Sequence, residues 1–330
     1  MSQQPPPPAI YLQALTGYWQ TLTLKAVAEL GLADLMKDGP LTSAALAAQA
    51  GLHEPSLRRV LRALTGAGFL EETTPGTYGL TPVGDLLRSD RPDSFRWMVL
   101  AEFEPARVPA WHGMEHSLRT GEIAFDHVQG KSAWDYYREN PERGERFSRW
   151  MTQLSHFFSD MIVGAFDFRP CGTIIDCGGG QGILLEAMLR QAEHSQGILF
   201  DLPQVVDGLA ERPRMRRVGG SFFEGVPEGG DLYVLKFILH DWDDAKSIAI
   251  LRNIRQSMKP GAKVMVIESV VGDSPDASFT HWMDINMLVM TGGMERTREE
   301  YGRLFEASGL RLEQLVPTPG VFSLLVAGAV

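Results

Sequence analysis

The chain has 330 residues, with 44% hydrophobic and 22% charged side chains, which is the composition of a folded globular protein and excludes wholesale disorder. Lysine plus arginine number 31 against 41 aspartate plus glutamate, and the formal net charge of −10 argues against nonspecific binding to nucleic acid or anionic lipid. Two cysteines, Cys171 and Cys177, are too few for a disulfide framework or a cysteine zinc site, and read as small buried thiols of a reducing, cytoplasmic setting. The chain starts Met1-Ser2-Gln3-Gln4 and then runs through Pro5 to Pro8, without the basic start and apolar stretch of a secretory signal. Residues 1–9 therefore read as a disordered or polyproline-like tail. No apolar run approaches the roughly 18 residues of a membrane span.

From residue 10 to about 95 the pattern predicts short helices followed by a hairpin. Leu22, Leu24, Val27, Leu30 and Leu35 recur at helical spacing. Thr42 is placed to cap a helix that Gly51 ends. The next helix starts at Glu54-Pro55 with Leu57, Val60, Leu61 and Leu64 on one face, and Gly66 to Gly68 break it. Phe69 to Glu72, Pro75-Gly76 and Tyr78 to Thr81 read as strand, turn, strand, completing a winged helix. Residues 96–165 read as a helical connector. Within it Asn140-Pro141-Glu142 makes a helix start. Phe147, Met151, Leu154, Phe158 and Met161 follow as an apolar stripe.

Residues 166–330 alternate strand and helix. Thr173 to Cys177, Gly197 to Phe200, Leu232 to Leu235 and Val264 to Ile267 are apolar strands, and helices fall between them, including one from Asp243 to Met258. This pattern predicts an α/β fold, a doubly wound parallel sheet with helices on both faces. Between the first strand and its helix stands Asp176-Cys177-Gly178-Gly179-Gly180-Gln181-Gly182. Glycines let the chain turn sharply there and let a ligand touch backbone, and the helix start beyond favours an anion. The nicotinamide fingerprint would require glycine at position 183, where Ile183 stands. Asp201 ends the next strand, at the position where an acid accepts hydrogen bonds from ribose hydroxyls. Loop and acid together point to a nucleoside ligand.

Four motifs then follow in order: the glycine loop; Phe200-Asp201-Leu202-Pro203; Lys236 with His240-Asp241-Trp242 and Asp244; and Gly292-Gly293-Met294-Glu295-Arg296-Thr297. Nearly the whole chain resembles the S-adenosylmethionine-dependent small-molecule O-methyltransferases of plant phenylpropanoid and bacterial antibiotic pathways. The resemblance implies a Rossmann-like class I methyltransferase domain behind an N-terminal winged-helix domain that pairs chains into a homodimer. It implies that Asp176, Gly178, Gly180 and Gly182 hold the methionine end of S-adenosylmethionine. Asp201 with Leu202 would take the ribose, Ser221 and Phe222 the adenine side, and Lys236 would lie near the cofactor. Many relatives carry aspartate and methionine where Ser221 and Phe222 stand, so the adenine contacts of this chain depart from the pattern. His240 would be the general base for a hydroxyl, flanked by Glu268 and Glu295. A histidine suits that task because its unperturbed pKa near 6.5 lets it take a proton at neutral pH.

Asp241 admits two readings, a cap for the following helix or a group beside the cofactor. Trp282, Met283, Met287 and Met290 are equally core or acceptor pocket. Phe147 and Met151, with Phe103 and Trp111, are further pocket candidates for a planar aromatic acceptor. His240, Asp241, Asp243 and Asp244 do not suggest a metal, because neighbours on one turn rarely converge and no second histidine sits at ligand spacing. The alternatives keep the fold and the cofactor but change the chemistry, to N-methylation or to decarboxylation, hydroxylation or a pericyclic step. A more remote reading is a winged-helix DNA regulator. Four basic residues (Arg58, Arg59, Arg62, Arg88) face five acidic ones (Glu54, Glu71, Glu72, Asp85, Asp90) from 41 to 90, and a balance of −1 suits DNA poorly.

Overall fold

The computed structural model describes residues 6–272 and 278–330 and divides the chain into two compact units. Residues up to Glu104 together with Glu145–Gln153 form one unit; Pro105–Gly144 and Leu154–Val330 form the other. The stretch expected as a single connector, 96–165, is thus shared between them.

The N-terminal unit opens with the helix Pro7–Glu29. Of the expected tail, residues 1–5 lie outside the described residues and residues 7–9 are helical, because Pro7 and Pro8 sit in the first turn, where no N–H is needed and a fixed φ costs nothing. Leu24, Val27 and Ala28 are buried, whereas Tyr11, Leu12, Leu15 and Trp19 are each more than 60% exposed. Thr42 caps the helix Ser43–Ala50 by accepting from the Ala45 N–H at 3.1 Å, and Gly51 ends it in the left-handed region at φ 66°. The helix Glu54–Gly66 buries Leu57, Leu61 and Leu64. Strand β1 (Leu41–Thr42), unexpected from the sequence, joins β2 (Leu70–Thr74) and β3 (Thr77–Leu80) in an antiparallel sheet of order β1-β3-β2. The wing is therefore three-stranded. Leu46, Leu61 and Tyr78 centre its core.

The larger unit is built on a seven-stranded sheet. Its strands are β4 (Thr173–Cys177), β5 (Gln196–Asp201), β6 (Met215–Gly219), β7 (Leu232–Lys236) and β8 (Lys263–Glu268). A short pair, β9 (Val270–Val271) and β10 (Arg296–Thr297), precedes β11 (Leu310–Pro317) and β12 (Ser323–Ala329). The order is β11-β12-β8-β7-β4-β5-β6; β8 through β6 run parallel, and β12 and β11 add an antiparallel edge. Strand β7 shows why the fold is layered. Tyr233 and Leu235 pack into one hydrophobic cluster with Leu251 and Phe305, while Leu232 and Val234 pack into another with Leu185 and Met265. Side chains alternate across a strand, so a run apolar at every position demands cover on both faces.

β4 bonds β5 on one side and β7 on the other, which makes it the switch point of the sheet. Ligands of open α/β sheets sit outside the carboxyl ends of the strands at that point. Cys177, Asp201, Lys236 and Glu268 are the last residues of β4, β5, β7 and β8, so the first three motifs read from the sequence are delivered to one edge. The helix Pro141–Ala165 starts as expected, but the Asn140 side chain donates back to the Tyr136 carbonyl at 2.9 Å instead of capping. Among the described residues no helix is long and apolar enough to cross a membrane.

Candidate active site

The glycine loop follows β4. Gly178, Gly180 and Gly182 have φ values of 75°, 56° and 74°, a region that disfavours any residue with a Cβ. Gly178 N–H donates to the Phe200 carbonyl at 2.7 Å and Gly180 N–H to Asp201 Oδ2 at 2.8 Å, so β5 fixes the loop. Asp201 Oδ1 accepts from the Leu202 N–H at 2.7 Å. Each carboxylate oxygen carries two lone pairs, so both keep acceptor capacity after these bonds. A Cβ built on Gly178 would lie 2.5 Å from Ile238 Cδ1 and 3.7 Å from the Phe222 ring, which places Phe222 at the loop's flank. The Phe222 and Phe223 carbonyls both accept from Asn253 Nδ2 at 2.9 Å, and Ser221 Oγ accepts from the Phe223 N–H at 3.3 Å.

Beneath the loop lies Asp176, 2% exposed, whose Oδ2 has no hydrogen-bond partner among the described residues. Burial pushes its pKa up to about 7, against the opposing pull of Lys236. Burial also brings Lys236 down to about 8, with Asp176 resisting. The Lys236 ammonium stands 4.0 Å from the centre of the Phe237 ring.

His240 lies on a 3₁₀ turn, Leu239–Asp241, just beyond β7. Its Nδ1 is 2.8 Å from Glu295 Oε1, with both side chains buried. A carboxylate only accepts, so Nδ1–H donates and Nε2 is the nitrogen left to take a proton. Burial opposes charge on the imidazole, but the Glu295 carboxylate and then Asp241 outweigh it, and the pKa is pushed up to about 10. Asp241 Oδ1 lies 3.9 Å from Nε2, and burial raises the Asp241 pKa to about 7. The helix Asp244–Ser257 is capped by Asp243, which accepts from the Lys246 N–H at 2.8 Å; Asp241 is therefore not the cap.

Glu268, expected to flank the imidazole, adds to the charge that raises His240, behind Glu295 and Asp241, and also holds the backbone of the turn. Its Oε1 accepts from the backbone N–H of Ile238 at 3.1 Å, Leu239 at 2.6 Å and His240 at 3.2 Å, and its Oε2 accepts from the Tyr301 hydroxyl. Glu295 is fixed by its own N–H, which donates to Asp284 Oδ1 at 2.9 Å. Rings gather beside the imidazole: Phe237 stacks within 26° of it at 5.8 Å, and Phe322 lies 4.5 Å from Phe237 and 4.8 Å from Phe158.

On the helix Ser278–Met290, Met290 joins a core with Val289 and Phe125, and Met287 is buried too. Met283 is half-buried, and Trp282 is 70% exposed. Phe147 and Met151 belong to the N-terminal unit, where Phe147 meets Trp150 edge-on at 5.8 Å. Sequence reasoning missed Tyr301, Asp284, Phe237 and Phe322. It also gave Arg296 no role beyond its place in the Gly292–Thr297 motif, whereas Arg296 is fully buried against the turn.

Comparison with known proteins agrees with this layout. An O-methyltransferase domain family matches residues 111–311 and an O-methyltransferase dimerisation domain family matches residues 12–90. The chain belongs to the O-methyltransferase family. It is an S-adenosylmethionine-dependent methyltransferase. A phenazine O-methyltransferase from Lysobacter antibioticus is 41% identical over 97% of this chain and 95% of its own length. An 8-amino-8-demethylriboflavin N,N-dimethyltransferase from Streptomyces davaonensis is 35% identical over 92% of this chain and 90% of its own. The crystal structure of CalO1, a methyltransferase of calicheamicin biosynthesis with S-adenosylhomocysteine bound, matches with a TM-score of 0.87 and 36% identity, covering 98% of this chain and 97% of that one.

The residues present fit such a cofactor. Three left-handed glycines leave backbone bare at the switch point, Asp201 retains acceptor capacity, and Asp176 holds a buried oxygen with no partner among the described residues. The surrounding acids Asp176, Asp201 and Asp241 suit a ligand carrying positive charge, since each is raised by burial and a cation would stabilise its ionised form. Substituting Asp201→Ala is expected to weaken S-adenosylhomocysteine binding by about 1–3 kcal/mol, the cost of leaving buried hydroxyls unpaired. Calorimetric titration checks this; unchanged affinity would remove Asp201 from the site.

Proposed function

We propose that the protein methylates a hydroxyl of an aromatic small molecule of secondary metabolism, with His240 as general base. The observation that carries this reading is the buried His240–Glu295 contact at 2.8 Å, set beyond the C-terminal end of β7. When bound between the glycine loop, Asp201 and Phe222, S-adenosylmethionine supplies an electrophilic methyl group. Asp176 with the glycine loop would hold its methionine end, Asp201 with Leu202 its ribose and Ser221 with Phe222 its adenine side, and Lys236 would lie near it. His240 Nε2 takes the acceptor's hydroxyl proton, and Glu295 holds the ring in the tautomer that frees Nε2 and stabilises the imidazolium. The rings of Phe237, Phe322 and Phe158 support an aromatic acceptor. Met283, half-buried on its helix, is kept as an acceptor contact. The apolar residues exposed on Pro7–Glu29, within the dimerisation match, support a homodimer.

The raised pKa of His240 has a consequence with a definite sign. A base must be unprotonated, and Glu295 holds the proton on. With the pKa near 10, log kcat/KM rises with pH from neutrality well into the alkaline range. Substituting Glu295→Gln removes the principal charge that raises it, so the inflection moves to lower pH. A profile flat above pH 7 in the native enzyme, or an unmoved inflection in the variant, would contradict the assignment. Nitrogen acceptors are the competing case, since an amine that is already neutral needs no base to lose a proton before attack.

A further inference from the structure

The turn that carries His240 begins on strained backbone. Phe237 has φ 58°, a left-handed conformation that aromatic residues rarely adopt. Ile238, Leu239 and His240 then present three successive N–H groups to one side, all of which reach Glu268 Oε1. Successive amides of this kind form an anion-binding concavity. The opposite polarity is met by Arg296, 0% exposed, whose guanidinium donates to the carbonyls of Leu239 at 3.0 Å and Trp242 at 2.7 Å. Its Nε and Nη2 also meet Asp244 at 3.0 and 2.9 Å, tying the turn to the helix beyond it. Arg296 follows Glu295 directly, so the residue that grips the turn is the chain neighbour of the one that orients the imidazole.

We infer that Glu268 and Arg296 are positioning residues: an anion and a cation that clamp the strained turn from its amide side and its carbonyl side and so aim His240. Glu268 acts chiefly through the backbone, its charge ranking behind those of Glu295 and Asp241 at the imidazole. Both of its oxygens are occupied, one by the amides and one by the Tyr301 hydroxyl. This deepens the reading of His240 as base and rests on it.

Glu268→Gln separates the two roles. A glutamine oxygen still accepts the three N–H bonds, and its NH₂ donates to the Tyr301 hydroxyl. The variant is expected to keep kcat within about 3-fold, because the bonds that hold the turn survive. Its pH inflection should move less than that of Glu295→Gln. Glu268→Ala should lower kcat by about 100-fold, since misplacing a reacting group by an ångström costs that order, with S-adenosylhomocysteine affinity close to native. Hydrogen exchange of the 237–242 segment should speed up in the alanine variant and not in the glutamine variant. The clamp is overturned if Glu268→Gln is as slow as Glu268→Ala, or shifts the inflection as far as Glu295→Gln, or if exchange in Glu268→Ala is native. Should the alanine variant not fold, the comparison of Glu268→Gln with Glu295→Gln decides. Failure of the base reading shows separately, as turnover retained in His240→Ala, and the exchange measurement still tests the clamp.

Discussion

Replacing His240 by alanine should reduce kcat by about 10²–10⁴-fold, the usual contribution of a general base, while S-adenosylhomocysteine binds with native affinity. The imidazole touches Glu295 and lies over Phe237, but the glycine loop, Asp201 and Phe222, proposed to hold the cofactor, hang on β4, β5 and the segment after β6. Losing the ring leaves that framework in place. It does leave Glu295 buried without its partner, so some loss of stability accompanies the loss of turnover. Rate and affinity are therefore expected to separate. Equal loss of both would make His240 structural. Steady-state kinetics alongside calorimetry with S-adenosylhomocysteine reads both quantities on the same preparation.

Gly293→Ala should be nearly as damaging, for a steric reason. A Cβ at this position would stand 1.9 Å from the His240 carbonyl oxygen, 2.5 Å from the Asp241 carbonyl carbon and 2.7 Å from the Trp242 nitrogen. All three are backbone atoms of the turn, so no side chain can swing away. Either the turn moves and carries His240 with it, or the Gly292–Glu295 segment moves and carries the orienting carboxylate. Overpacking of this kind costs about 1–3 kcal/mol, and a displacement of an ångström costs on the order of 100-fold in rate. The expected result is kcat down about 100-fold with a lowered melting temperature and retained S-adenosylhomocysteine binding. Gly302→Ala is the control: that glycine lies inside the helix Arg298–Ala307 with no atom within 4 Å of an added Cβ, so alanine there should be neutral or stabilising. If both variants behave alike, the contact at Gly293 does not govern the turn.

Much of this arrangement was legible in the residues. β4, β5, β7 and β8 are continuous apolar runs, and such runs announce buried parallel strands whichever face each side chain takes. The glycine loop and Asp201 were legible because they lie at strand ends in one βαβ unit and their spacing is local. The capping box of Thr297 and Glu300 is local in the same way, joining residues three positions apart. β6 was not, because Met215-Arg216-Arg217-Val218-Gly219 is an edge strand whose arginines hide its pattern. Pro7 and Pro8 misled in the other direction, since prolines mark both tails and first helical turns. Glu268 and Tyr301 lie 33 positions apart, and Phe237 and Phe322 belong to different strand regions of the sheet; no periodicity pairs them. Arg296 stood inside a motif, yet its burial depends on carbonyls that only the folded turn presents.

The measurement that tests the central claim most directly is methyl transfer from isotopically labelled S-adenosylmethionine to hydroxylated aromatic compounds, each assayed beside its amino counterpart, with product structure read by mass spectrometry and NMR. The account predicts label on oxygen for at least one hydroxylated ring, transfer that climbs with pH, and its loss in His240→Ala. Label found only on nitrogen, or oxygen methylation undiminished in His240→Ala, would contradict it.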